Sequence, residues 1–150
     1  MKLPSIPVPN SLKLRKTISI TGLLAIVRKE FEQIKEHRIK TITYQLTEVL
    51  MSALAMFGLK YPSLLRFEQN RHEPTLCANL KNLYGVEHAP SDTQMREILD
   101  PVAPEALRLA FRQVHRELQK QKLLEKYRYL GGYLMSVDGT GQFSSTQIQC

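Results

Sequence analysis

Helix-breaking residues divide the middle of this chain into short segments, and this division constrains the fold more than any other feature of the sequence. Between residues 21 and 118, apolar side chains recur every three or four positions, which is the spacing of one face of an α-helix. Residues that typically start or stop helices stand between these segments. They are Gly58, Pro62, Ser63, Pro74, Gly85, Ser91 and Pro104. The pattern predicts a mainly α fold built from several short helices.

The pattern also predicts how the helices begin and end and which faces they bury. Thr21 is a suitable N-cap for the first helix, and Gly58 is suitable for the C-cap of the second. Ser91 and Gln94 have the spacing of a capping box. We expect the inward-facing residues to be Leu24, Val27, Phe31, Ile34, Leu46, Val49, Leu50, Ala53, Leu54, Phe57, Leu76, Leu80, Leu83, Met95, Ile98, Leu99, Leu107, Ala110, Phe111, Val114 and Leu118.

The C-terminal part has a different pattern. Residues 133–137 form an almost uninterrupted apolar run, which predicts a strand that is buried on both faces. Asp138 follows at the strand's end, and Gly139 and Gly141 allow the chain to reverse into a hairpin. These residues alone allow two interpretations of Asp138. Asp138 and Gly139 either only make the turn, or Asp138 is a carboxylate with a chemical role.

Two sequence blocks resemble a known family. One is Ser136, Val137, Asp138, Gly139 and Thr140, followed by Phe143, Ser144 and Ser145; the other covers residues 90–100 and begins Pro90, Ser91, Asp92, Thr93 and Gln94. Their order and their separation resemble the N-terminal part of bacterial insertion-sequence transposases of the DDE class. The looser similarity extends from about residue 41 to residue 150.

The resemblance implies a ribonuclease H-like catalytic domain in which three carboxylates hold two divalent metal ions. It assigns Asp138 as the first carboxylate and metal ligand, with Mg²⁺ or Mn²⁺ as cofactor in a full-length parent and double-stranded DNA at the transposon ends as partner. The second aspartate and the glutamate have no counterpart here. One carboxylate cannot hold two metal ions, so we expect this chain alone to bind no metal cofactor and to be catalytically incomplete.

The expected organisation therefore has three parts. Residues 1–20 form a basic flexible arm, residues 21–130 a helical DNA-binding domain, and residues 131–150 the first β-hairpin of a truncated ribonuclease H-like domain. Unpaired strand edges in such a fragment favour self-association. The alternative is a self-contained small helical regulator that binds nucleic acid or another protein.

Three groups of residues are candidates for DNA binding. Thr93, Gln94 and Arg96 would face the major groove if the helices around them formed a helix-turn-helix, although plain core packing also explains this helix pair. Arg108, Arg112 and Arg116 lie four apart on one predicted helix, where they form either a phosphate-binding ridge or an ordinary solvated face. The third group lies in the N-terminal arm and consists of Lys13, Arg15 and Lys16.

Charge and cysteine content narrow the class of protein. The net charge is +7, distributed as +6 over residues 1–40, −2 over 41–100 and +3 over 101–150. A basic excess at the two ends suits a polyanionic partner, but it also suits simple solubility. Two cysteines, Cys77 and Cys150, do not suggest a disulfide framework, and no stretch has the roughly 20 apolar residues of a membrane span. We therefore expect a cytoplasmic protein without membrane contact.

Overall fold

A computed structural model describes residues 16–39 and 42–133, and this part of the chain is mainly helical. Residues 16–18 are helical, and six longer α-helices follow: α1 (Ile20–Phe31), α2 (Leu46–Gly58), α3 (Leu64–Asn70), α4 (Pro74–Tyr84), α5 (Asp92–Leu99) and α6 (Pro104–Lys120). A 3-10 turn (Glu125–Tyr127) leads into a small antiparallel hairpin of β1 (Arg128–Tyr129) and β2 (Gly132–Tyr133). The predicted mainly α fold is confirmed.

Helix α2 occupies the centre of the core. It packs against α1, α4 and α5, and Val49 and Ala55 are completely buried within it. A helix that is apolar on most sides is stable only when neighbours cover most sides. Ser52 is also fully buried, and its hydroxyl donates a 2.7 Å hydrogen bond to the carbonyl oxygen of Glu48 one turn earlier. The polar group thus enters the core without an unmet hydrogen bond.

Helices α1 and α6 form the most extensive pair in the described structure. Val27 and Phe31 of α1 are buried, and Ala110 of α6 is fully buried. Leu107 and Val114 pack on the same core at its edge. Because α6 covers α1 with one face only, the opposite face of α6 stays in solvent.

Most predicted helix boundaries are confirmed. Ser63 is the N-cap of α3, Pro74 is the first residue of α4, and Gly85 ends α4 in the left-handed conformation with φ 64°. The predicted capping box is also present. The Ser91 hydroxyl accepts from the backbone N–H of Gln94, and the Gln94 side chain accepts from the backbone N–H of Ser91.

Two predicted caps were wrong. The first helix begins at Ile20, and its N-cap is Ser19, whose hydroxyl accepts a 3.1 Å hydrogen bond from the backbone N–H of Gly22. Gly58 is the last residue of α2 and not its cap; Leu59 is the C-cap, and Lys60 takes the left-handed conformation with φ 60°. Any residue can hold that conformation at some cost, so a glycine near a helix end does not always mark the cap.

Gly58 is required for a different reason. A Cβ atom at this position would collide with the hydroxyl oxygen of Tyr84. The ring carbon that carries this hydroxyl would lie at an ordinary distance of 3.5 Å. Tyr84 is buried, and this burial raises the pKa of its phenol above the ordinary value. Gly58 therefore lets the end of α2 approach the end of α4 closely.

Arg28 ties α1 to the end of α4. Its guanidinium donates to the carbonyl oxygens of Tyr84 at 3.1 Å and Gly85 at 3.2 Å. The last carbonyl groups of a helix have no partner within that helix, and a cation also suits its negative end. A side chain from one helix thus satisfies the backbone of another.

Two side chains predicted to point inward are exposed. Phe57 on α2 is 71% exposed, and Phe111 on α6 is 55% exposed. Residues at the border of an apolar face are covered only if a neighbour extends that far, which the sequence does not reveal. Both phenylalanines lie on the rim of one apolar groove described below.

The structure has a C-terminal hairpin that the sequence analysis did not predict, just before the predicted strand. Residues 130 and 131 form its two-residue turn, and all four strand residues are exposed. The strand predicted to start at Tyr133 with both faces buried was therefore wrong for Tyr133, which is 45% exposed. The predicted turn at Asp138 and Gly139 lies outside the described residues.

The predicted arm of residues 1–20 also differs in its described part. Residues 16–18 are helical and α1 starts at residue 20, so regular structure begins before the predicted boundary at residue 21. In the described parts of the chain, no helix combines the length and the apolar character needed to span a bilayer.

We predict that Gly58→Ala lowers the free energy of unfolding by about 1–3 kcal/mol, because the new methyl group collides with the Tyr84 hydroxyl. The matched experiment repeats the substitution in a Tyr84→Phe background, which removes the colliding oxygen. There the cost should fall to near zero. Urea denaturation of the four proteins measures the coupling, and simple additivity of the two substitutions would contradict the proposed contact.

A second prediction concerns the loop after α1, where Arg38 holds Glu36. The Arg38 guanidinium donates to both carboxylate oxygens of Glu36 at 2.8 and 2.7 Å and to the carbonyl oxygen of Tyr44 at 2.7 Å. The hydrogen bonds from the Arg38 side chain to the Glu36 carboxylate lower the pKa of Glu36 from 4.5 to about 2. Because the folded-state pKa is depressed, the pair stabilises the protein fully above about pH 4.5 and loses this contribution as the pH falls through about 2.

The size of the effect should be about 1 kcal/mol, since the pair is partly exposed to solvent. Wild type should therefore lose about 1 kcal/mol more stability between pH 5 and pH 2 than Glu36→Gln, measured by urea denaturation at each pH. Parallel stability curves for the two proteins over this range would show that the pair contributes nothing.

Candidate nucleic-acid interface

The outer face of α6 carries the three arginines predicted as a ridge. Arg108, Arg112 and Arg116 are all exposed, on the side opposite the buried Ala110. Successive members are about 6 Å apart along the helix axis and turn by about 40° around it. They form a slanted basic row, which we call the α6 ridge.

The α6 ridge is only weakly neutralised by neighbouring acids. Glu105 lies 3.8 Å from Arg108, with both side chains largely exposed, so their attraction is small. Glu117 accepts a 2.7 Å hydrogen bond from the side-chain amide of Gln121. Within residues 16–39 and 42–133, Arg112 and Arg116 have no ion-pair partner. Two guanidinium groups are therefore available to an incoming anion.

The three predicted base-reading residues lie on the first two turns of α5. Thr93 is exposed. Gln94 is half-buried, and its side-chain oxygen is held by the capping box with Ser91. Arg96 donates from Nε to Asp92 at 2.5 Å, and this hydrogen bond raises the pKa of Arg96 above its ordinary value. Of these three side chains, only Thr93 is exposed and makes no hydrogen bond or ion pair within α5 or its cap.

Helices α4 and α5 are arranged around α2. Helix α4 packs on α1 and α2, whereas α5 packs on α2 and α3. Residues 85–91 connect them, and Val86, Ala89 and Pro90 of this connection are buried. A helix-turn-helix has a short turn between two helices that pack against each other. Contact of Thr93, Gln94 and Arg96 with bases in the major groove therefore stays a prediction.

A basic aromatic segment after α6 was missed by the sequence analysis. Lys126 places its Nζ 4.8 Å from the ring centroid of Tyr127, and the Arg128 guanidinium lies 5.8 Å from the ring of Tyr133. Tyr129 is exposed between them. The alternation of cations and tyrosines over residues 126–129 was a usable signal, because such interleaving suits nucleic-acid binding.

An apolar groove was also missed. It encloses about 280 Å³. The residues around it come from α1, α2, the end of α5, the α5–α6 connection and α6, namely Phe31, Leu50, Ala53, Leu54, Phe57, Leu99, Val102, Pro104, Leu107 and Phe111. Sequence periodicity counted Phe57 and Phe111 as core residues, so it could not reveal a groove between them.

The remaining predicted site residues lie outside the described part of the chain, except for Lys16. Lys13, Arg15 and the candidate catalytic and metal-binding residue Asp138 lie outside the described residues, and Lys16 is exposed within a helical turn. Among residues 16–39 and 42–133, no three side chains of His, Cys, Asp or Glu come together in a way that could hold a metal ion.

The described geometry thus gives one basic helix face, one basic aromatic hairpin and one apolar groove. Comparison of the chain with protein-family models, with curated proteins and with solved structures finds no match.

Proposed function

We propose that this chain binds duplex DNA through the α6 ridge, as the N-terminal part of a DDE-type transposase. The observation that carries the proposal is the exposed row of Arg108, Arg112 and Arg116 on a helix whose other face is fixed in the core. Arginines held on a rigid element can contact consecutive phosphates without first ordering a flexible loop. Duplex DNA and not a small anion is the expected partner, because the row extends about 12 Å along the helix.

The proposed transposase identity rests on the sequence blocks around Ser91 and Asp138. In this proposal residues 131–150 begin a ribonuclease H-like domain, and Asp138 is its first metal-binding carboxylate. Mg²⁺ or Mn²⁺ would bind only where further carboxylates join Asp138, so no catalytic step is derived for this chain. DNA binding, which needs only the basic surfaces, does not depend on that metal site.

The apolar groove favours the second candidate, a small helical regulator that binds another protein. Phe57 and Phe111 expose large apolar surfaces on its rim, and exposed apolar clusters of this kind often mark protein-binding sites. In that case the α6 ridge would be an ordinary solvated face. The two candidates differ in whether the arginines or the groove residues control binding to a macromolecule.

The proposal predicts a steep salt dependence. If four to six phosphates are neutralised, a plot of the logarithm of affinity against the logarithm of salt concentration should have a slope of about −4 to −5. Replacing both Arg112 and Arg116 by Gln should reduce the magnitude of the slope by about 2. Fluorescence anisotropy of a labelled duplex over a range of salt concentrations measures both slopes.

The control variant removes the same amount of charge elsewhere. Lys60 and Arg66 are exposed near the start of α3, and replacing both by Gln should leave the slope close to that of wild type. Deleting residues 1–40 is a poor test, since it removes α1 and with it Val27 and Phe31 of the core. Equal slopes for the two double variants would exclude the α6 ridge as the phosphate contact.

A further inference from the structure

The 3-10 turn and the hairpin after α6 combine exposed aromatic rings with cations. Tyr127 is 59% exposed and Tyr129 is 63% exposed. Residues 120–133 carry four cations, Lys120, Lys122, Lys126 and Arg128, but only one acid, Glu125. A protein-binding aromatic patch is typically depleted in lysine, whereas a surface for nucleic acid combines aromatic rings with cations.

The register of the hairpin separates its side chains onto two faces. Arg128 pairs with Tyr133, and their side chains share one face, where the guanidinium lies over the ring. Tyr129 projects to the other face, because successive strand residues alternate. Its cross-strand partner is Gly132, which has no side chain. The cross-strand neighbour of Tyr129 therefore contributes no side chain that could cover its ring.

Neither backbone shape nor packing requires glycine at residue 132. Its φ lies outside the left-handed region, and among the described residues a Cβ atom built there would have only the carbonyl oxygen of Tyr129 within 4 Å, at 3.9 Å. By contrast, the turn residues Leu130 and Gly131 both have positive φ, 48° and 83°. These values are those of a two-residue type I′ turn, which suits the twist of the strands. Gly132 thus leaves space next to Tyr129 that a side chain could fill.

We propose that this space is a stacking site for a base of single-stranded DNA, with Tyr129 as the platform. The inference rests on the proposed DNA binding and adds a second substrate form, an unpaired strand next to the duplex on the α6 ridge. Stacking on an aromatic ring accepts any base, and Lys126 beside Tyr127 supplies a cation for the strand's phosphates. The hairpin follows α6 after only seven residues, so one DNA molecule can contact both surfaces.

The chain contains no tryptophan, so a single introduced indole reports on the site alone. In Tyr129→Trp, a single-stranded oligothymidine of about ten nucleotides should quench the fluorescence, because the base stacks on the indole. Phe57→Trp is the matched control: residue 57 is exposed to a similar degree but lies on the apolar groove, and its fluorescence should not change.

The binding test compares Gly132→Val with wild type. Valine favours strand structure and should keep the hairpin folded, while its side chain fills the position beside Tyr129. Affinity for the oligothymidine should fall about tenfold, as for loss of one stacked base, and affinity for duplex should change less than twofold. Tyr129→Ala should reproduce the loss. An NMR contact between the backbones of residues 129 and 132 checks that the hairpin persists.

The outcomes separate the two proposals. Salt-dependent duplex binding with no quenching and no effect of Gly132→Val would overturn the stacking site and leave the α6 ridge intact. Quenching and the tenfold loss, without duplex binding, would support the stacking site and overturn the ridge. Binding to neither DNA form would overturn both. If Gly132→Val changes the self-association of the protein, measured by sedimentation, but leaves its affinity for oligothymidine unchanged, this face is a contact between copies of the chain. That result would overturn the stacking site.

Discussion

The burial of α2 is the constraint on which the rest of the structure depends. Its apolar residues occupy so much of the helix circumference that one neighbour could not cover them, and α1, α4 and α5 each take a side. The short helices are too short to be stable in isolation and gain their stability from this packing. Ser52 is tolerated at the centre because its hydroxyl bonds to a carbonyl group of its own helix.

The same packing determines which surfaces are left for function. Helix α6 uses one side against α1, with Ala110 small enough to let the two helices approach, and this fixes the direction of the opposite side. The arginine row is thus oriented by apolar contacts that have no part in binding. Arg28, in contrast, is a cation that packing removes from the binding surface. Its guanidinium donates to the carbonyl oxygens of Tyr84 and Gly85.

The sequence predicted the features that depend on neighbours within one turn of helix. Ser63, Pro74, Gly85 and Ser91 act through local hydrogen bonds or local backbone geometry, and their roles could be predicted. It failed where a distant element decides. Gly58 is required by Tyr84, and Phe57 and Phe111 are exposed on the rim of a groove whose shape depends on how α1, α2, α5 and α6 pack together. The α6 ridge was predictable because exposure follows from helical spacing, whereas the pairing of Tyr129 with Gly132 depends on the strand register, which could not be predicted.

The pairing of α1 with α6 has a consequence for how the chain is made. More than 70 residues separate the two helices in sequence, so at ordinary rates of translation several seconds pass between synthesis of the first and of the second. Helices α2 and α4 also contact α1 and reach it earlier. Arg28 can join the end of α4 as soon as residue 85 has left the ribosome, and α6 then closes the remaining side of α1 as the last of the described α-helices.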